Sequence, residues 1–248
     1  MIYFIIASGY NCADKVEACY SSLLSLHGGY NCEALLIDDG STDESLYNKM
    51  VALKELIPVP NIHIKRTEQN YGAAFHRYHA ITTHKLNPED VIILLGLDDE
   101  LMPNALELID NEYYNGKWMT YGNWISPDGY TLPDGFLHFD DNIHRERSYR
   151  RERYRSTAPN TFKKFLFDEF KESDFKYNEE WIKATTESNL MLSCLEMCGK
   201  DRIGVIDEPI YIYNKDRGDN AKARFGRHYQ EDIYKWVKSR PKRNLLNR

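Results

Sequence analysis

Short apolar runs alternate with longer amphipathic stretches through the first hundred residues. Residues 2–7 (Ile-Tyr-Phe-Ile-Ile-Ala) and 91–95 (Val-Ile-Ile-Leu-Leu) are unbroken apolar runs; 34–37 is shorter, and 61–65 is weaker and broken by polar residues. Runs of this length suit strands buried on both faces of a sheet. Between them, residues 14–26, 43–56 and 72–85 carry Leu, Ala, Ile and Phe at helical spacing, with Ser41 or Thr42 as the N-cap of the second. The alternation predicts βαβ units, hence an α/β fold with a mostly parallel central sheet flanked by helices.

The pattern loosens further on. A helix is expected from Pro103 through Leu108, and residues 113–160 are then rich in Tyr, Gly, Asp and Arg with little periodicity. Strands are expected there at 118–121 and 135–139 within long loops, and irregular segments of that length are usually functional or mobile. Helical spacing returns at 161–170 and 182–198, two short strands follow at 203–206 and 210–213, and a helix closes the pattern at 228–238. One domain with an elaborated C-terminal half is the simplest account. Residues 1–110 would form one half, 111–226 the other, and 227–248 a terminal helix and basic tail.

Charge narrows the picture. The chain has 248 residues and a formal net charge of -6, which argues against a nucleic-acid partner. Its cations are nevertheless clustered, at Arg145, Arg147, Arg150, Arg151, Arg153 and Arg155, and again in the tail. The tail reads as a solvated surface. The middle cluster reads either as an anion site, because arginine forks suit phosphate and carboxylate, or as an exposed loop balanced by Glu146, Glu152, Asp140 and Asp141. Five cysteines without CxxC spacing imply neither zinc nor a disulfide framework, and Cys194 and Cys198 read as buried thiols. No apolar stretch approaches the ~20 residues a membrane span needs, and a soluble, cytoplasmic setting is expected.

Two acidic motifs stand at ends of apolar runs: Asp38-Asp39-Gly40-Ser41-Thr42-Asp43, and Leu97-Asp98-Asp99-Glu100. Adjacent carboxylates there would cost free energy unless a cation or hydrogen bonds compensate them. In open parallel sheets ligands bind beyond the strands' carboxyl ends, where both motifs fall. An aspartate can accept from a base N–H and a tyrosine can stack on a base, so Asp39 and Tyr10 suit a nucleotide.

The order Ser8-Gly9-Tyr10-Asn11, Asp38-Asp39-Gly40-Ser41, Asn70-Tyr71-Gly72 with Arg77, and Gly96-Leu97-Asp98-Asp99 before Pro103 resembles the family 2 glycosyltransferases. The resemblance implies a GT-A (Rossmann-like) fold and transfer of a sugar from a nucleotide diphosphate donor, a UDP-sugar, to a glycan or glycoconjugate acceptor. It further implies Ser8, Tyr10, Asp38 and Asp39 as base and ribose contacts, and Arg77 facing the donor. In the family's Asp-x-Asp register Gly96 takes the first acidic position, so Asp98, also in the donor site, is the implied ligand of Mn2+ or Mg2+, supported by Asp99. The family's catalytic base opens a helix in the second half; Glu187 falls at that position, and a one-residue slip would put Ser188 there. In the closing Tyr211-Ile212-Tyr213-Asn214-Lys215-Asp216 motif, Asp216 stands where the family has a metal- or phosphate-contacting His. Two alternatives remain: a sugar-phosphate nucleotidyltransferase, which would need a Gly-rich basic loop after the first strand, and a degenerate GT-A domain that binds without catalysing.

Overall fold

A computed structural model describes residues 1–26, 29–215 and 221–248. Its first half follows the apolar pattern closely: β1 (Tyr3–Gly9), α1 (Val16–Ser25), β2 (Cys32–Asp38), α2 (Ser45–Leu56), β3 (Ile62–Arg66), α3 (Ala73–Thr83) and β4 (Val91–Gly96) alternate as expected. Strands β3, β2, β1 and β4 lie side by side in parallel. The chain thus builds outward from β1 to β3 and returns to add β4 on the other side of β1. This reversal creates a crevice at the carboxyl ends of β1 and β4, where ligands bind in such sheets.

The second half extends the same sheet with mixed polarity. A two-residue strand β5 (Glu100–Leu101) and helix α4 (Ala105–Tyr114) precede β6 (Met119–Ile125), followed by the short α5 (Asp141–Glu146). Then come β7 (Asn160–Lys163), α6 (Lys164–Phe167), a hairpin of β8 (Lys176–Tyr177) and β9 (Glu180–Trp181), α7 (Thr186–Cys198), β10 (Ile203–Ile212) and α8 (Ala221–Ser239). The eight-stranded order is β3-β2-β1-β4-β7-β6-β10-β5. Strand β7 runs antiparallel to both its neighbours, while β6 and β10 are parallel.

Several expectations change here. Residues 135–137 lie in a turn and 138–139 are irregular, so no strand forms there. The expected helix at 161–170 is split: Asn160–Lys163 pairs in the sheet, and only Lys164–Phe167 is α-helical. The two strands expected at 203–206 and 210–213 are one strand, irregular around Pro209. Pro209 has no N–H to give the ladder, so an irregularity is its natural place. Neither Ser41 nor Thr42 caps α2: its N-cap is Glu44, and the Asp43 carboxylate accepts from Ser45 N at 2.8 Å. Ser41 instead gives its hydroxyl to Asp38.

Alternate strand residues feed two cores. Phe4, Ile6, Ile92 and Leu94 pack with α3, α7 and α8 on one face of the sheet. Tyr3, Ile5, Ile93 and Leu95 pack with α1, α2 and α4 on the other. That is the period-2 geometry of a strand covered on both sides. Helix α7 is buried along nearly its whole length, and its buried polar side chains have partners, Asn189 in the Asp174 main-chain oxygen and Glu196 in Arg150. All five cysteines are buried thiols. No helix among the described residues is long and apolar enough to cross a membrane.

Candidate active site

The sheet's register brings the sequence motifs together. Ser8 pairs with Gly96, and Gly9 with Asp38, so the motif ends of β1, β2 and β4 lie in one row. Close approach explains two glycines. A Cβ on Gly9 would stand 2.6 Å from Cys12 Sγ and 2.7 Å from Leu97 Cβ; one on Gly40, whose φ is +65°, would stand 2.3 Å from the Gln69 carbonyl carbon. The loop after β2 is therefore pressed against the loop that enters α3, which only glycine permits.

Neither Asp38 nor Asp39 presents its carboxylate to solvent. Asp38 Oδ1 accepts from Ser41 N (2.9 Å) and Ser41 Oγ (2.6 Å), while Arg66 Nε lies 3.4 Å from Oδ2. Asp39 is held more completely. Oδ1 accepts from Tyr71 N at 2.8 Å and meets His76 Nε2 at 2.6 Å; Oδ2 accepts from Asn70 Nδ2 at 2.7 Å and Gly72 N at 2.9 Å. This carboxylate caps the entry to α3, whose first N–H groups have no partner within the helix. The sequence reading of Asp39 as an acceptor for a base N–H does not include these four protein groups around it. His76, 2% exposed, was not identified from sequence; a histidine one turn into α3 is the available signal.

A cleft of about 470 Å³ opens at the β1–β4 switch and is lined by Ser8, Arg77, Gly96, Asp99, Glu187 and Tyr211, among others. Arg77 Nη2 donates to Glu187 Oε1 at 2.5 Å across it. Arg77 is 6% exposed, and the Glu187 side chain is 41% exposed at the mouth of α7. Burial alone would raise the Glu187 carboxyl, but the charge and hydrogen bond of Arg77 outweigh it and hold the group below the usual glutamate range. Several lining atoms are buried without a hydrogen-bond partner within the protein: Arg77 Nη1, Ser156 Oγ, Asn160 Oδ1 and Thr185 Oγ1. Buried polar atoms are normally satisfied, so their convergence on one cleft marks a place for a polar ligand. Of these, only Arg77 was identified from sequence: Ser156 and Asn160 come from the aperiodic 113–160 segment, and Thr185 from the entry to α7.

The turn after β4 is fixed from the far side of the sheet. Asp99 accepts from Tyr211 Oη (2.7 Å) and from Asn214 N (2.9 Å), and Asn214 Nδ2 donates to the Asp98 main-chain oxygen at 2.5 Å. Asp98 is half-buried on this turn. Its carboxylate and that of Asp99 are hard oxygen donors of the kind Mg2+ and Mn2+ take, and those ions commonly complete their shell with water and substrate phosphate. Among the described residues no group of three or more His, Cys, Asp or Glu gathers as a metal cage. Asp216 lies outside the described residues. Tyr10 is half-buried, with the Arg224 guanidinium 3.8 Å above its ring centroid.

The sequence profile described as Glycosyl transferase family 2 matches residues 4–169. No curated protein matches the sequence significantly. Among solved structures, the chain is similar to S. aureus TarS residues 1–349, with a TM-score of 0.60, 17% identity and coverage of 86% of this chain and 60% of that one. The same fragment is also known in complex with UDP, at the same TM-score, identity and coverage. A third similar structure is the mannosyltransferase PcManGT from Pyrobaculum calidifontis in complex with GDP-Man and Mn2+, with a TM-score of 0.61, 13% identity and coverage of 97% of this chain and 65% of that one. The chain thus spans about three-fifths of the length of the TarS fragment it matches, and these likenesses bear on fold. With the family's motifs at the mouths of neighbouring strands and its profile matched over residues 4–169, this chain belongs to glycosyl transferase family 2 and has the GT-A fold.

Proposed function

We propose that the chain is an inverting, metal-dependent glycosyltransferase that moves a sugar from a UDP-sugar to a hydroxyl of a glycan or glycoconjugate. The observation that carries this reading is the Arg77–Glu187 pair, set across a cleft whose buried polar atoms lack partners. Residues 1–110 hold the donor, with Ser8 and Tyr10 toward the base and Asp38 and Asp39 shaping the nucleotide side; residues 111–226 receive the acceptor. Asp98 and Asp99, with Asp216, would hold a divalent cation, which would neutralise charge growing on the leaving diphosphate. Glu187 takes the proton of the acceptor hydroxyl as its oxygen attacks the anomeric carbon and the bond to diphosphate breaks. Arg77 has a second nitrogen free of protein partners, so a donor diphosphate can draw it from Glu187. Losing that contact raises the carboxylate's proton affinity when the acceptor arrives. The five buried, unbridged thiols support a reducing, cytoplasmic setting.

One observation favours a second reading, a GT-A domain that binds but does not catalyse: the Arg77 contact makes Glu187 a weaker base. Incubation with a panel of UDP- and GDP-sugars and Mn2+, scored for donor hydrolysis, separates the two. We expect hydrolysis of one donor, a fall of about 100-fold or more in kcat for Glu187→Gln, and UDP affinity kept. Tight UDP binding without turnover of any donor would establish the binding domain instead. Asp98→Ala should lose metal-dependent activity while keeping its fold; full activity of that variant in EDTA would remove the metal assignment.

A further inference from the structure

The arginine cluster and the basic tail converge. A hollow of about 630 Å³ is walled by Arg147, Arg150 and Arg151 on one side and Lys238, Arg240 and Lys242 on the other. Arg150 is balanced by the buried carboxylate of Glu196, with contacts of 2.9 and 3.0 Å, and Arg240 is balanced by Asp174. Arg147, Lys238 and Lys242 are positioned by main-chain oxygens, while Arg151 is exposed and Glu146 also lines the hollow. Arg147 Nη1 donates to the main-chain oxygens of Glu196 (2.8 Å) and Arg243 (3.2 Å), Lys242 donates to Glu146 O (3.1 Å), and Lys238 donates to Glu152 O. A carbonyl fixes an ammonium or guanidinium in position but leaves its full charge to act on a ligand. In a chain of net charge -6, this is a local and organised excess of positive charge.

The hollow lies beside residues that lead toward the cleft, although the two share no lining residue. A middle hollow of about 610 Å³ shares Tyr154, Thr185, Ser188 and Gln230 with the cleft and adds Arg153 and Tyr234. Arg153 is two residues from Arg151, and Lys238 Nζ lies 5.4 Å from the Tyr234 ring centroid, one helical turn along α8. On α7, Glu187 and Glu196 mark the two ends of this track, nine residues or about 13 Å apart by helical rise.

We propose that the acceptor carries phosphate groups, and that the Arg147–Arg151 and Lys238–Lys242 walls bind them while an acceptor hydroxyl about 13 Å away reaches Glu187. The place of the hydroxyl rests on the transferase reading, and that of the phosphates on the basic hollow alone. Concavity favours discrete phosphates over the plane of a membrane. None of the large apolar side chains exposed among the described residues lines the hollow, so nothing there would insert into lipid.

Isothermal titration with tripolyphosphate, in the presence of saturating UDP, tests this on the full chain. Arg151→Glu/Lys242→Glu changes two exposed cations and should leave the melting temperature and donor hydrolysis unchanged. We expect tripolyphosphate to bind the natural chain with the donor site filled, to weaken with salt, and to lose at least tenfold in affinity in the double variant. Undetectable binding, equal affinity in both proteins, or binding to phosphatidylserine vesicles with none to tripolyphosphate would each overturn the proposal. Absence of UDP binding and donor hydrolysis in the natural chain would instead remove the transferase reading, an outcome independent of the tripolyphosphate result.

Discussion

Four protein groups converge on the carboxylate of Asp39, two per oxygen, filling the lone-pair directions a carboxylate offers. Replacing one oxygen by an amide NH2 in Asp39→Asn sets a donor against donors in a buried site. That should cost about 2–4 kcal/mol, or on the order of 5–10 °C in melting temperature for a chain of this length. A thermal melt checks it; an unchanged melting point with lost UDP affinity would show a carboxylate kept for ligand alone. Arg77 sets the titration of Glu187 in the same local way. The folded carboxyl is depressed, so Glu187 stays ionised down past the ordinary glutamate value of about 4.3, and the acid limb of kcat/KM for the free enzyme belongs below that. In Arg77→Met the cation goes, so the limb should move to higher pH; a limb that stays put would separate the base from this pair. Arg77 and Glu187 were each legible in the sequence from their motif positions. Their contact was not, because it joins residues 110 apart whose meeting depends on how α7 docks on the sheet.

Elements were legible in proportion to how far their own pattern dictates them. Strands β1 and β4 are continuous apolar runs buried on both faces, and no competing reading exists for them. Strand β7 is the opposite case: Phe162, Phe165 and Leu166 in the 160–170 segment also fit a helical stripe, and only the slot between β4 and β6 settles the conflict. Residues 118–121 were found and 135–139 misread for a related reason. The former have a parallel partner in β10, whereas the latter curl so that the Leu137 oxygen accepts from the buried Tyr121 hydroxyl at 2.9 Å. The junction between β2 and α2 tests whether element boundaries here are set by backbone contact. Gly40→Ala places a side chain at φ +65° and 2.3 Å from the Gln69 main chain, so both strain and collision apply. Left-handed strain alone costs about 1–3 kcal/mol, and chemical denaturation should read at least that loss. A neutral result would mean that the 69–72 loop yields readily, and UDP affinity should then also be preserved.

At the scale of the whole molecule, the basic tail carries more than its composition suggests. It reads as solvated surface in the sequence, yet it straps α7 to the segment before β8. Arg240 and Arg243 both pair with Asp174, the Arg243 N–H donates to Glu196 Oε2 at 3.0 Å, and Leu246 N donates to Met197 O at 2.9 Å. Removing residues 240–248 leaves the Asp174 carboxylate, 12% exposed, without its two cations. Loss of those contacts should cost about 3–5 kcal/mol at neutral pH. The pH dependence identifies the cause. Burial pushes Asp174 up, but the Lys171 N–H and the two arginines pull it below the usual aspartate range. A depressed folded value stabilises the chain above the unfolded value of about 3.9 and loses that contribution as pH falls through the folded one. Without the two cations the carboxyl moves up, and the cost of keeping it ionised in the shortened chain at neutral pH is relieved as pH falls. The gap in melting temperature between full and shortened chains should therefore be widest near pH 7 and close below about pH 4. A gap that stays constant across that range would assign the strap to the apolar and main-chain contacts of Leu246 instead of to its charges.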